Sequence, residues 1–178
     1  MSRVGMPGLA GLLQTGVIVR DALPGELAGI GDLRVAAYAA RGFLSDGSHY
    51  TETLRGLGRD SDGQVLAAVD GEQILGTVML QRWPDGGHVV QGPGEAEVRA
   101  LAVAPGAQGR GVGRALLQAV TDRASGQGVR HLVLCTQPEM LAAQHLYEVA
   151  GFRRIPERDW CPVPGFTLLA YGRDLRAG

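Results

Sequence analysis

Two carboxylates, Glu95 and Glu97, a glycine run at Gly109, Gly111 and Gly113, and Tyr147 are the residues of this 178-residue chain whose types and spacing could do chemistry. The glycines join two elements. Before them runs Glu97-Val-Arg-Ala-Leu101-Ala-Val103-Ala, an apolar strand closed by Pro105, which cannot donate to a sheet ladder. After them Val112, Leu116, Val120 and Ala124 recur at four-residue spacing with Leu117 beside them, which is the apolar face of a helix. A strand feeding a helix through glycines leaves several backbone N–H groups unpaired at the positive end of the helix dipole. Such a turn suits a phosphate or pyrophosphate, and its plain alternative is a helix start packed by glycines. Gly106 and Gly111 have the Walker A spacing, but Val112-Gly113 replaces its lysine and hydroxyl. Gly109 and Gly111 begin a dinucleotide fingerprint that ends on Arg114 instead of glycine.

The spacing Gln108-x-x-Gly111-x-Gly113 instead resembles the acetyl-CoA pyrophosphate loop of the GNAT superfamily of N-acetyltransferases. Leu101-Ala-Val103-Ala-Pro105 is similar to that family's strand beside the pantetheine arm. A second resemblance lies downstream in Leu146-Tyr147-Glu-Val-Ala-Gly151-Phe152, where the family's tyrosine stands one turn before a Gly-Phe pair and points at the thioester sulfur. The resemblance covers residues 17 to 174. It implies acetyl-CoA as co-substrate, held by Leu101, Ala102, Val103, Gln108, Gly109, Arg110, Gly111, Val112, Gly113, Arg114, Met140 and Tyr147, with no metal. Many relatives carry asparagine seven residues before the tyrosine; Met140 stands there, and a thioether accepts hydrogen bonds poorly.

Moving an acetyl group from a thioester to an amine requires a deprotonated amine, a stabilised oxyanion and a protonated leaving thiolate. The resemblance implies a β-bulge that frees backbone N–H groups near Leu101 and Val103 for the oxyanion; the alternative is an ordinary ladder strand. Tyr147 is the candidate general acid, since a phenol near pKa ~10 keeps its proton where a thiol near ~8.5 leaves as thiolate. Its alternative is a packing tyrosine. Helical spacing groups Met140, Ala143 and Tyr147 on one face and sets Leu141, Ala142, His145, Leu146 and Val149 toward the core. Glu97 is the candidate general base, through a water, with Glu95 second. Period-two alternation puts both on the face of Leu101 and Val103 unless a bulge intervenes. A surface pair with Arg99 or Arg114 is the competing role for Glu97.

The elements that must position these groups follow an order βααβββαβαββ. A strand at Val17 to Arg20 precedes a helix from Pro24 to about Arg41, with Leu27, Ile30, Leu33 and Ala37 on one face, and a short helix from His49 to Leu57. Val65–Val69 and Gln73–Gln81 form a hairpin around Asp70-Gly71. A connector from Trp83 to Gly94 is long enough to be a functional or mobile loop. Then come the central strand and helix, a buried strand at His131–Cys135 and a helix from Pro138 to Ala150 capped by Gly151. A Pro162-Val-Pro-Gly loop precedes a last strand at Phe166–Asp174. The expected fold is one α/β GNAT-like domain over residues 17–176, with a central mixed, mostly antiparallel twisted sheet flanked by helices. Residues 1–16 read as a loose N-terminal extension.

Composition narrows the function classes. The length suits one well-buried domain, hydrophobic residues make up 45%, and the formal charge is −1, so nothing favours nucleic acid or a membrane surface. All 17 basic residues are arginine. Cys135 and Cys161 are too few for a disulfide framework, which sets a reducing, cytoplasmic compartment as the expectation. Cys135 in an apolar strand reads as a structural thiol. His49, His88, His131 and His145 lack metal-ligand spacing. Trp83, His88 and Trp160 lie on loops that, by resemblance, border the acceptor, and Asp46, Glu95, Glu97 and Asp159 could together favour a cationic amine. The expected activity is acetyl transfer to a small-molecule primary amine by direct attack in a ternary complex. A protein or peptide amine, or a non-catalytic CoA-binding sensor, are the alternatives, and a homodimer stays open.

Overall fold

The hairpin around Gly71 is the piece that local sequence builds most directly. Gln64–Asp70 (β2) and Gln73–Arg82 (β3) are apolar runs joined by a tight turn in which Gly71 adopts φ +61, a conformation open to glycine without a Cβ penalty. In the computed structural model, which describes residues 16–44, 49–60, 63–85 and 89–176, this hairpin is extended into a sheet. The expected extension at 1–16 lies outside the described residues apart from Gly16. Ile18–Asp21 (β1) pairs with β2, and Glu95–Val103 (β4) pairs with β3. His131–Thr136 (β5), Arg153–Arg154 (β6), Trp160–Val163 (β7) and Phe166–Asp174 (β8) complete the described strands. Their order is β1-β2-β3-β4-β5-β8-β6, with β7 against β8. Among these strands only β4 and β5 run parallel; every other pairing is antiparallel.

Helices cover both faces. Leu27–Ala40 (α1) and His49–Gly56 (α2) pack together on one face, and Val112–Gly126 (α3) on the other. On α3 the residues at four-residue spacing, Val112, Leu116, Val120 and Ala124, are all buried with Leu117. They meet Leu66, Val78, Leu80, Ala96, Val98 and Leu132 of the sheet in the main core. Each fully buried Leu or Val there contributes roughly 1.5–3 kcal/mol, which makes this helix the firmest anchor of the turn that precedes it. A smaller core under α1 joins Ile30 to Val65, Ala67, Val69 and Met79.

Several elements depart from expectation. The last helix, Leu141–Val149 (α4), begins three residues after Pro138, with Met140 as its N-cap. Of the five residues expected toward the core, Leu146 packs there but the other four do not. Leu141 is 71% and Val149 62% exposed, Ala142 and His145 are exposed too, and Tyr147 is the buried residue. Tilted ring contacts of Tyr147 with Phe152 and Tyr171, each centroid 6.1 Å away, decide which face turns inward. The Pro162-Val-Pro-Gly segment is not simply a loop. Trp160 pairs with Leu168 and Val163 with Phe166, so β7 is an edge strand, where the missing N–H of Pro162 breaks no ladder. The connector after Trp83 is pinned by Val89 and Val90, which bury against Val133; its residues 86–88, including His88, lie outside the described set.

A candidate acetyl-transfer cleft at the β4–β5 fork

β4 and β5 are hydrogen-bonded only from Glu95↔His131 to Glu97↔Val133. Beyond Glu97 the strands part, and the wedge between them opens into a cleft of about 550 Å³. A bulge in β4 makes the fork. Thr77 pairs with Ala102 but Met79 with Arg99, so two residues, Ala100 and Leu101, stand opposite Val78 alone. Ala100 absorbs the extra residue at φ +52, a left-handed conformation rare for a residue with a Cβ.

The bulge has two consequences. It releases donors: the Ala104 N–H is given to Leu75 of β3, so strand alternation turns the Leu101 and Val103 N–H groups away from β3 and toward the cleft. It also inverts the side-chain parity. Leu101 and Val103 now pack on the α3 face with Ala96 and Val98, while Glu97 shares the opposite, α1 face with Gln81 across the register. The bulge is the exception that strict alternation allows: a one-residue insertion moves Glu95 and Glu97 to the face opposite Leu101 and Val103.

At the wide end of the cleft lies the start of α3. Its N-cap, Gly111, adopts φ +76, and no side chain caps the helix. Ala115 N–H to Gly111 C=O is the first helical bond, so the N–H groups of Val112, Gly113 and Arg114 have no intrahelical acceptor. A Cβ on Gly113 would sit 3.2 Å from Leu146, so this glycine lets α4 close against α3. The loop is fixed from three sides. Gln108 Nε2 donates to Val103 C=O at 3.2 Å, Arg41 donates to Gln108 Oε1 at 3.0 Å, and Arg110 pairs with Asp70 at 2.9 Å. Gln108 is thus a hook between the loop, β4 and α1, and Arg114 is exposed.

Met140, Cys135, Thr136 and Tyr147 line the β5–α4 side of the cleft. Thr136 donates to Met140 Sδ at 3.5 Å, so the thioether is tied to the cleft wall. Burial pushes the Tyr147 phenol well above its ordinary range, which keeps it protonated. Burial, with Glu97 and Asp159 nearby, pushes the Cys135 thiol up to about 12. Cys135 is half-buried rather than sealed in the core, and at neutral pH it is a neutral wall.

The acids separate. Glu97 stands at the last paired position of the fork, buried, with Arg99 Nε at 3.8 Å and Gln81 across the strand; Arg99, not Arg114, is its arginine neighbour. Neither Glu97 nor Glu95, two residues further back, is among the residues that line the cleft. Arg158 grips Glu95 through both oxygens (2.8 and 2.7 Å), Gln91 N–H adds 2.8 Å and His131 3.2 Å. The Arg158 pair, more than the other contacts, holds its carboxyl down to about 2. Glu95 is thus anchored by Arg158, Gln91 and His131. Asp159 is likewise held by Arg154 at 2.6 Å, so no cluster of free acids forms among the described residues, and Asp46 lies outside them.

Sequence patterning gives no warning of the α1 side. Tyr38, Arg41 and Phe43 line the cleft, and Arg34, in line with Ile30 and Tyr38, is fully buried beneath them. An arginine four residues from Ile30 and four from Tyr38 is the signal that could have found this face. Among the described residues no group of three or more His, Cys, Asp or Glu could hold a metal ion, and no helix is long and apolar enough to cross a membrane.

Known proteins resemble this chain in sequence and in fold. The chain is 38% identical over 97 residues to a mycothiol acetyltransferase of Cellulomonas flavigena, covering 53% of this chain and 28% of that protein. It is 44% identical over 83 residues to the N-alpha-acetyltransferase RimI of Mycobacterium tuberculosis, covering 46% of this chain and 51% of that one. The chain therefore spans between about a quarter and a half of the length of these relatives. Among solved structures, a GCN5-related N-acetyltransferase from Kribbella flavida superposes with TM-score 0.69 at 27% identity, over 90% of this chain and 98% of that one. YncA of Salmonella typhimurium, a putative acetyltransferase solved with its cofactor acetyl-CoA, gives TM-score 0.66 at 19% identity over 92% and 96%. The sequence model of the Acetyltransferase (GNAT) family matches residues 29–152, about two thirds of the chain, and the protein belongs to that family.

Proposed function

We propose that this domain transfers an acetyl group from acetyl-CoA to a small-molecule primary amine by direct attack in a ternary complex. The observation that carries the proposal is the fork: a bulged β4 turns the Leu101 and Val103 N–H groups away from β3 toward a cleft whose far end is an uncapped helix N-terminus. The residues fit the co-substrate. Three free N–H groups at the start of α3 suit a pyrophosphate, and the apolar walls of Leu101, Val103 and Met140 suit an extended, largely apolar arm.

When bound, acetyl-CoA supplies an activated thioester. The N–H groups of Leu101 and Val103 stabilise the oxyanion that develops on its carbonyl, a contribution worth several kcal/mol where donors are preorganised. Glu97, at the crotch of the fork, takes a proton from the substrate ammonium, directly or through one water, freeing the lone pair that attacks the thioester carbonyl; the second nitrogen proton leaves to solvent as the tetrahedral intermediate collapses. Tyr147 supplies a proton to the departing sulfur, and its buried phenol is in the protonated form that this task needs. Cys135 forms no covalent intermediate, since its thiol is held neutral.

Small-molecule acceptors are favoured over protein amines by the walls of the site: α1 with Tyr38 and Phe43 covers the cleft from one side, leaving no peptide-wide groove of free acids among the described residues. The relatives described above include both kinds of enzyme by name. Incubation with acetyl-CoA and a panel of amines, with released thiol read by a chromogenic disulfide, tests the proposal. Amine-dependent thiol release supports it. Tight acetyl-CoA binding without release to any small or peptide amine would instead leave a CoA-binding sensor.

A further inference from the structure

On the α1 face of β4, beside the fork, the Arg99 guanidinium stands 3.8 Å from Glu97, and Arg34 of α1 is buried close enough to feel the Arg99 charge. Arg34 is 0% exposed. Its Nη1 donates to the Leu54 and Leu57 carbonyls at 3.3 and 2.8 Å, while Nε and Nη2 have no hydrogen-bond partner among the described residues. Carbonyls hold a guanidinium in place but do not neutralise it. Burial, reinforced by the like charge of Arg99, lowers the Arg34 pKa only to about 10, so it stays cationic at neutral pH. Arg99 is partly exposed, with Nη1 on Gln81 Oε1 at 2.8 Å and Nε 3.8 Å from Glu97. Among the described residues, the neighbouring carboxylates Glu95 and Asp159 are already held by Arg158 and Arg154. The Tyr38 phenol lies near the same charges, and burial raises it far above its ordinary range, so it stays protonated.

We infer that the acceptor amine carries a carboxylate, and that Arg99, backed by the buried Arg34, supplies its counter-charge. The inference rests on the acetyl transfer proposed above. A planar guanidinium next to the fork matches a carboxylate in bidentate fashion, and a second cation behind it, under-satisfied and desolvated, raises the local affinity for an anion. An acceptor of the amino-acid type then presents its amine toward Glu97 while its carboxylate meets Arg99. A plain alkylamine would leave one of the two guanidinium charges without a counter-anion, since Glu97 is, among the described residues, the one carboxylate paired with Arg99.

The test compares matched amines: glycine, β-alanine, aspartate and glutamate against their amides and the corresponding decarboxylated amines. Each is measured by thermal shift on the CoA-loaded protein and by kcat/KM with acetyl-CoA. Members bearing a carboxylate are expected to stabilise the complex and to exceed their amides by at least about tenfold in kcat/KM. Arg99→Gln should raise KM for the best of them about tenfold with a smaller effect on kcat and erase the preference over the amide, while Arg99→Lys restores part of it. Arg34→Met can fail to fold, so the two Arg99 variants and the substrate comparison decide the matter. Equal or better use of the decarboxylated amines, or an unchanged KM in Arg99→Gln, overturns the inference while leaving acetyl transfer intact. A protein that acetyl-CoA does not stabilise fails at the transfer step itself and takes this inference with it.

Discussion

Tyr147 is fixed by packing before it can serve chemistry. Its ring contacts those of Phe152 and Tyr171, and the residue borders the cleft that Met140 and Thr136 also line. Replacing it with phenylalanine keeps the two ring contacts and removes only the hydroxyl. Tyr147→Phe should therefore bind CoA within about twofold of the wild type and lower kcat by about 100-fold, in the range that a positioned general acid supplies. Unaltered turnover in single-turnover measurements would mean that the thiolate departs without it. This residue also shows where sequence patterning misleads. Counting apolar side chains on α4 assigns Leu141, His145 and Val149 inward, but two neighbouring rings outweigh them, and those rings come from Phe152 and from β8, more than twenty residues away. The spacing to Gly151-Phe152 picks out a tyrosine that does line the cleft; periodicity alone would turn Leu141, His145 and Val149 to the core instead.

At the scale of elements, everything near the cleft depends on one misfit between β3 and β4. Val78 faces two residues, and Ala100 takes the left-handed turn that this requires. Glycine would be the natural occupant, so nothing in Val98-Arg-Ala-Leu101 announces a bulge, and strict alternation then predicts the wrong face for Glu97. The helices and strands themselves are legible because each carries its own period: four-residue on α3, a two-residue turn in the hairpin. Relief of the strain is measurable. An L-residue at such a φ costs roughly 1–2 kcal/mol, partly offset by the greater freedom of glycine when unfolded. Ala100→Gly should thus raise stability by about 0.5 kcal/mol, or some 1–2 °C in Tm, with the fork intact. Ala100→Val, β-branched at positive φ, should lose more than about 1 kcal/mol and weaken acetyl-CoA binding. A valine variant as stable as the wild type would show that the bulge can relax without harm.

For the whole molecule, the fork is a weakness as well as a site. The N-terminal strands β1–β4 and the C-terminal strands β5–β8 share only three register pairs, Glu95–Glu97 with His131–Val133. Arg158 reinforces that seam: it reaches back 63 residues to Glu95 and also donates to the Val89 carbonyl, tying the segment before β7 to the base of β4. A pair so distant in sequence leaves no local trace, so the spacing of Glu95 to Glu97 gives no sign of this anchor. The clamp has a signed pH dependence. Glu95 titrates near 2 in the folded protein against an ordinary 4.5, so its stabilisation is complete above about pH 4.5 and is lost as pH falls toward 2. Glu95→Gln should cost about 2 kcal/mol at pH 7 after allowance for screening, and leave the Arg158 cation partly uncompensated. Because the seam sets how far β4 and β5 diverge, the variant should also bind acetyl-CoA more weakly, by about threefold or more. Tm curves of the two proteins should then converge between pH 4.5 and 2, where the wild type also loses the clamp. Parallel curves over that interval would place the acid-sensitive link elsewhere, and a normal acetyl-CoA affinity would show that the three ladder pairs alone hold the fork in shape.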